Sequence, residues 1–128
     1  MFKELNNIIE IDLSNLDTSD VTTMASMFEQ CSNLEKINFG KINTSSVTSM
    51  FHLFHQCTKL ASIDVSHFDT SQVTSLNSIF RLCESLTSID VSNFNTKNVV
   101  DMLDIFSLCY NLISANLSNF DKSADVKL

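Results

Sequence analysis

An uninterrupted 26-residue repeat runs through the whole sequence and limits the folds that it can adopt. Four phenylalanines and four cysteines recur at this interval: Phe28, Phe54, Phe80, Phe106, Cys31, Cys57, Cys83 and Cys109. Copies without insertions imply that each unit meets its neighbour in the same geometry, as in a solenoid. We therefore predict one domain over residues 1–128, with units at about 2–27, 28–53, 54–79, 80–105 and 106–128.

Part of each unit has the periodicity of a helix. Between residues 73 and 83, apolar side chains follow the one-sided spacing of a helical face, at Val73, Leu76, Ile79, Phe80 and Cys83. The Asp-Thr-Ser stretch at 69–71 has side chains that can accept hydrogen bonds from the free amides of a first turn. The pattern predicts a helix of about three turns that begins near Ser71.

A short strand follows each predicted helix. Residues 89–92, Ile-Asp-Val-Ser, alternate apolar and polar side chains with the period of two that is typical of a strand. One strand and one helix in every unit require parallel strands, with the helices on the opposite side. Paired strands lie about 4.7–4.9 Å apart, whereas packed helices need about 8–10 Å. We therefore expect an α/β solenoid with the parallel sheet on its concave side, although short 3₁₀ turns in place of helices would make the curvature small.

The repeat unit resembles a known family. Two stretches read Leu-x-x-Ile-x-Val-x-x-Phe, at 60–68 and 86–94, and resemble the leucine-rich repeat signature. The fuller unit at 54–74, Phe-x-x-Cys-x-x-Leu-x-x-Ile-Asp-Val-Ser-x-Phe-Asp-Thr-Ser-x-Val-Thr, resembles the bacterial repeats named after the BspA surface protein. This resemblance implies a curved leucine-rich-repeat solenoid within a larger cell-surface or secreted bacterial protein, with adhesion or host-protein binding as its role.

Charge and hydropathy argue against two classes of partner. The formal net charge is −7 and the eight basic residues are scattered, whereas nucleic-acid binding needs clustered lysine and arginine. No stretch approaches the roughly 20 apolar residues of a membrane span. Residues 1–5 do not begin like a signal peptide. We expect no nucleic-acid partner and no membrane insertion.

Neither catalysis nor a cofactor is expected. Gly40 is the only glycine, which excludes a glycine-rich phosphate loop. No set of nucleophile, base and charge stabiliser can be assembled from the sequence. Turn hydrogen bonds explain the recurring threonines better than an active site does; these are Thr18, Thr44, Thr70 and Thr96.

The spacing of cysteine and histidine does not indicate a metal site. Cysteines 26 residues apart lack the short ligand spacings of zinc sites, and Leu5 occupies the same position in the first unit. We expect buried, unpaired cysteines, with disulfides between adjacent coils as the minor alternative. His52 and His55 could face one another, but no carboxylate or thiolate obviously converges with them, so we expect solvated histidines. His67 is expected at an exposed corner.

The outward-pointing strand positions form a stripe of short polar side chains, here called the strand face, and this is the candidate binding surface. It consists of Glu10, Asp12, Ser14, Lys36, Asn38, Ser62, Asp64, Ser66, Ser88, Asp90, Ser92, Ser114, Asn116 and Ser118. Curved solenoids commonly bind along such a surface, but the stripe lacks the usual anchor residues, and ladders of hydrogen-bonded side chains are the competing interpretation. Asp64 and Asp90 should be close enough to raise one pKa or attract calcium, although solvated aspartates are the default.

The ends of the sequence lack recognisable caps. The chain opens in the middle of a unit, and Lys122 and Asp125 replace the usual threonine and valine. We expect a segment of a larger protein or end-to-end pairing of copies. Ala115 replaces the usual isoleucine, which predicts fraying over 112–128. Two functions stay open: a protein- or glycan-binding module, and a spacer or self-assembling stack without a ligand of its own.

Overall fold

A computed structural model describes residues 1–121 as successive coils of one stack. Four short strands run through it: β1 (Glu10–Asp12), β2 (Lys36–Asn38), β3 (Ser88–Asp90) and β4 (Ser114–Asn116). β1 pairs with β2, and β3 pairs with β4. Both pairs are parallel, and each residue pairs with its equivalent in the next unit, as Ile11 does with Ile37. The prediction of parallel strands is confirmed.

The predicted helices are wrong. Within residues 1–121 the chain forms no α-helix, and no helix begins near Ser71. Residues 25–30, 51–56, 77–82 and 103–108 form series of tight turns instead, here called the turn segments. Each turn segment contains two residues with positive φ, for example His52 at 57° and Gln56 at 63°. A residue in the left-handed conformation does not continue a right-handed α-helix, so the backbone turns repeatedly.

Hydrogen bonding between the coils explains why turns replace the helix. The amides of His52, Phe54 and Gln56 donate to carbonyl groups of the following coil at 2.8–3.0 Å. The amides of His55 and Cys57, which alternate with them, donate to carbonyl groups three residues back at 3.1 Å. An α-helix would direct all these amides to carbonyl groups within itself. Here alternate amides join one coil to the next.

Backbone hydrogen bonds therefore link the coils on the turn side as well as on the strand side. Isolated parallel bridges connect Thr23, Ser49, Ser75 and Asp101 in one unbroken series. This pairing gives the turn side the spacing of paired strands and not that of packed helices. The expectation of a concave sheet rested on helices that the described residues do not form. The described residues form no 3₁₀-helix either, and the curvature of the stack stays a prediction.

Stacked phenylalanine rings fill the core between the two sides. Neighbouring ring centroids lie 5.5–5.6 Å apart and the ring planes differ by 6° or less along one column, Phe2, Phe28, Phe54, Phe80 and Phe106. Phe28, Phe54 and Phe80 are fully buried. Burying a phenylalanine side chain contributes about 1.5–3 kcal/mol. Each coil therefore stabilises its neighbours through the same contact, as solenoids do.

One coil exchanges the sizes of two core side chains. Phe39 stands where the next coil has Val65, and Ile42 stands where the next coil has Phe68, so the total volume changes little. The Phe39 ring packs edge-on against Phe68, with centroids 5.0 Å apart. Residues 62–64, in the coil that follows, have no assigned strand. The strand side therefore consists of two short ladders, one on each side of this coil.

No part of residues 1–121 forms a helix that could cross a bilayer. Lys122 and Asp125, on which the expectation of a missing end cap partly rests, lie outside the described residues. Ala115 is half-buried in the middle of β4. Fraying over 112–128 stays a prediction.

Candidate binding surface

The strand face is open to solvent. All its residues are exposed except Ser92, which is half-buried. Between them, Ile11 and Ile89 point into the core. At one corner Gly40 has a positive φ of 57°, and a Cβ atom there would lie 2.6 Å from the Cα of Ser14. The first two coils thus approach each other too closely at this corner for any residue but glycine.

Each strand ends in a turn that an aspartate or asparagine side chain closes. Its Oδ1 accepts a hydrogen bond of 2.8–3.3 Å from the amide two residues later, in the pairs Asp12–Ser14, Asn38–Gly40, Asp64–Ser66, Asp90–Ser92 and Asn116–Ser118. This contact is an Asx turn. These five bonds each lie within one coil, so they give the side chains a structural role in the turns and leave the competing interpretation of ladders between coils a prediction.

The same contacts bear on Asp64 and Asp90. Solvated aspartates were the default expectation, and repulsion between neighbouring carboxylates that raises one pKa was the alternative. Hydrogen bonds from the hydroxyl and the amide of the serine two residues later instead lower the pKa of Asp12, Asp64 and Asp90. These carboxylates are therefore ionised at neutral pH.

Charge on the strand face is mainly negative. Its ionisable groups are four carboxylates and one ammonium: Glu10, Asp12, Asp64, Asp90 and Lys36. The Lys36 Nζ lies 3.0 Å from Glu10 Oε1, and both side chains are more than half exposed. An exposed pair of this kind contributes about 1 kcal/mol or less. The strand face thus favours ligands that carry hydrogen-bond donors or positive charge.

A cavity of about 170 Å³ opens beside the strand face at the coil that lacks a strand. Its lining residues are Ile37, Asn38, Phe39, Gly40, Asp64 and His67. Small-molecule sites usually measure about 300–1,000 Å³. The cavity is therefore better suited to one side chain of a partner than to a cofactor. His67 is exposed here, at the corner where the sequence predicted it.

The recurring threonines join neighbouring coils. The Thr70 hydroxyl donates to the carbonyl group of Asn95 at 3.1 Å and accepts from the amide of the same residue at 2.7 Å. The Thr18 hydroxyl makes the same two contacts with the backbone of Asn43, and the Thr44 hydroxyl makes them with the backbone of Asp69. All three threonines are buried. Their side chains therefore bond across coil junctions, whereas the sequence indicated bonds within turns.

The cysteines are free thiols, as expected. Cys31, Cys57 and Cys83 are buried and Cys109 is half-buried. Each Sγ lies 2.8–3.2 Å from the carbonyl oxygen of a phenylalanine in the preceding coil. Burial raises the pKa of all four thiols. Protonated, enclosed thiols act as compact core side chains.

The expectation of solvated histidines is wrong for His55, which is 8% exposed. A carboxylate also converges on the pair, because Glu29 Oε1 lies 3.5 Å from the Nδ1 of His52. The signal for this contact was present in the sequence, since Glu29 precedes His55 by one 26-residue unit. A search along the predicted helix missed it, because the partner comes from the neighbouring coil.

Comparisons with known proteins agree with a bacterial repeat of the leucine-rich type. A family model described as "Mycoplasma protein of unknown function, DUF285" matches residues 1–120. Among solved structures, the chain is similar to the leucine-rich repeat protein TpLRR of T. pallidum, with a TM-score of 0.54 and 19% sequence identity. That similarity covers 94% of this chain and 61% of the length of TpLRR, and at this identity it shows the fold alone. No curated protein sequence matches the chain. The narrower resemblance to BspA repeats stays a prediction.

Proposed function

The chain belongs to the family described as Mycoplasma protein of unknown function, DUF285, and we propose that it is a binding module of a bacterial surface protein. In this proposal the strand face contacts a protein or a glycan, and the role is adhesion or interaction with a host. The location is the cell surface or the extracellular medium, as the resemblance to BspA repeats implies. The observation that carries the proposal is the exposed, regularly spaced row of polar side chains on a frame of buried ones.

The chemistry of the strand face narrows the class of ligand. Adjacent paired strands repeat at about 4.7–4.9 Å, so carboxylate, amide and hydroxyl groups recur along the stack at that interval. An extended ligand with repeated hydroxyl or amide groups can contact several coils at once. The ionised Asp64 and Asp90 favour donors on the ligand and disfavour phosphate or sulfate groups.

The test uses variants that block the strand face without disturbing its turns. Lys36 shows that a long cationic side chain is accommodated at the first strand position, so Ser62→Arg and Ser88→Arg should fold. Gln72→Arg introduces the same charge at an exposed position outside the strand face and serves as the matched control. The probes are an array of neutral and acidic oligosaccharides and immobilised extracellular-matrix proteins. The proposal is supported if the unaltered chain and the Gln72→Arg control bind a probe and the two serine variants do not. It is contradicted if the unaltered chain binds none of the probes.

Self-assembly is the second candidate, and exposed apolar side chains favour it. Val100 and Ile113 are each 88% exposed. The equivalent residues of the preceding coil, Thr74 and Thr87, are also exposed but polar. In this alternative the chain is a spacer or a self-assembling stack. Light scattering coupled to gel filtration separates the two candidates. Assembly is favoured if the molar mass of the unaltered chain grows with concentration. The double variant Val100→Thr and Ile113→Thr should then have the mass of a monomer.

A further inference from the structure

Three side chains that can bind a metal ion converge at one junction between two coils. Glu29 and His55 occupy equivalent positions in successive units, and His52 lies in the same turn segment as His55. One potential ligand atom from each side chain lies within 4.8 Å of the other two. We propose that Glu29, His52 and His55 form a binding site for a divalent transition-metal ion such as Zn²⁺.

The turn segment holds the two histidine rings together. His52 has a positive φ of 57°, and the amide of His55 donates to its carbonyl group at 3.1 Å. The two ring centroids lie 4.3 Å apart. Phe51 stacks on the ring of His52 with centroids 3.8 Å apart. Because these contacts restrict both rings before any ion binds, less side-chain entropy is lost on binding.

Glu29 supplies an ionised oxygen. Its Oε2 pairs with Lys3 Nζ at 3.1 Å, which leaves Oε1 facing His52. Burial raises the pKa of Glu29, but hydrogen bonds from Ser26 and Lys3 and the positive charge of Lys3 act in the opposite direction and lower it overall. Carboxylate oxygen and imidazole nitrogen are both common ligands of zinc.

His55 supplies a nitrogen that lacks a partner. The side chain is more than nine-tenths buried, and its Nδ1 has no hydrogen-bond partner in the described part of the chain. Buried polar atoms in folded proteins nearly always have a partner, so this nitrogen needs an explanation. The neutral imidazole ring is the form that binds metals. An ion held by Nδ1 of His55 would satisfy this nitrogen.

The ligand set determines which metal fits. Two imidazole nitrogens and one carboxylate oxygen match three-ligand zinc sites whose fourth position is open, whereas calcium and magnesium prefer oxygen ligands. Zinc bonds of about 2.0–2.2 Å place neighbouring ligands roughly 3.5 Å apart, a separation that Glu29 Oε1 and His52 Nδ1 already have, so His55 must close by about 1 Å at most. The His52 side chain is 23% exposed and gives an ion access from solvent. The positive charges of Lys3 and Arg81 oppose the ion and limit its affinity.

The fold itself does not require this cluster. At the equivalent positions of other described coils, the chain has Lys3, Ser26, Ser78, Arg81, Asp104 and Ser107. Apart from Lys3, these positions lie in turn segments, and at none of the other described junctions does a carboxylate meet two histidines. A repeated structural need therefore does not explain why Glu29, His52 and His55 meet.

The test is a titration of the full chain after treatment with a chelator. We expect one Zn²⁺ per chain by calorimetry with ZnCl₂, and the visible absorption of tetrahedral Co²⁺ with CoCl₂. Glu29→Gln and His55→Ala should each weaken Zn²⁺ binding by about tenfold or more. His67→Ala, which removes an exposed histidine outside the cluster, should leave the affinity unchanged. Lys3→Gln should tighten binding, because it removes the charge that pairs with Glu29.

Lys3→Gln keeps the proposal testable even if a histidine variant fails to fold. The Lys3 side chain is half-exposed, so the variant should fold, and its expected effect is a gain in Zn²⁺ affinity. Three results would each overturn the proposal. The first is an absence of Zn²⁺ binding to the unaltered chain, which would leave Glu29 and His52 as a side-chain contact only. The second is unchanged affinity in Glu29→Gln. The third is a thiolate-to-cobalt absorption band, which would assign the ion to a cysteine.

Discussion

The buried hydroxyl of Thr70 provides a sharp test of how the coils are joined. Thr70 is 1% exposed, and its Oγ1 both donates to and accepts from the backbone of Asn95. Thr70→Val keeps the shape of the side chain, but it leaves the amide and the carbonyl group of Asn95 without the threonine hydroxyl as a hydrogen-bond partner. An unpaired polar group costs about 1–3 kcal/mol when it is fully buried, and the two Asn95 groups are partly buried, so we expect the free energy of unfolding to fall by about 1–3 kcal/mol in total. Urea denaturation followed by circular dichroism measures the change.

Thr74→Val is the matched control for Thr70→Val. The Thr74 hydroxyl donates to the carbonyl group of Thr48 at 3.1 Å, but the residue is exposed, so water can replace the bond. The next coil has Val100 at the equivalent position, which shows that valine fits there. We expect a change within about 0.5 kcal/mol. Equal losses in the two variants would refute the argument that burial of the hydroxyl decides the cost.

Three further predictions test the turn segments, the core thiols and the strand ends. Gln56→Val should lower the free energy of unfolding by about 1–2 kcal/mol, because valine tolerates positive φ poorly. Gln56→Gly should lower the free energy of unfolding less, or raise it, because glycine adopts positive φ freely. Equal urea midpoints for the two variants would contradict this. Cys57 and Cys83 should resist N-ethylmaleimide at pH 8 until urea unfolds the chain, because burial blocks access and raises the thiol pKa; rapid labelling of the folded chain would contradict it. The pKa of Asp64 is lowered in the folded state, so its stabilising contribution is present above the unfolded value of about 3.9 and is lost as pH falls through the folded value. Asp64→Asn keeps an acceptor for the Ser66 amide and should reduce the pH dependence of the urea midpoint in that acidic range; an unchanged pH profile would count against it.

The strand side could be predicted from the sequence because its signal is local and simple. In β3, Ile89 is buried between two exposed neighbours, and this alternation has the period of two that only an extended chain produces. The fixed interval of 26 residues then places β1 beside β2 and β3 beside β4, but it did not indicate that residues 62–64 would form no strand. Exposure of the strand-face side chains follows from these two facts.

The turn side could not be predicted in the same way, because a helical face and a series of tight turns place apolar side chains at similar intervals. The composition gave a warning: residues 71–83 contain serine, threonine, valine and asparagine but no alanine or glutamate, so their helix propensity is weak. The positive φ of His52 or Gln56 has no sequence signal, since neither is glycine. Hydrogen bonds to the next coil, which are tertiary contacts, impose this conformation.

The candidate metal site was missed for a related reason. Its ligands come from two coils, and inspection of one predicted helix at a time brings only His52 and His55 together. Aligning the units in columns places Glu29 directly beside His55. In repeat proteins, the column is therefore as informative as the local sequence when potential ligands are sought.

The direction of the hydrogen bonds between coils has a mechanical consequence. Bonds such as that from the amide of Phe54 to the carbonyl group of Ile79 run along the stack, while the chain circles around it. The coil junctions are therefore in series under a force applied to the two ends, so they can open one at a time. Each coil that opens releases roughly 90 Å of extended chain. Under tension, we expect a chain built in this way to lengthen in steps, which limits the peak force that it transmits.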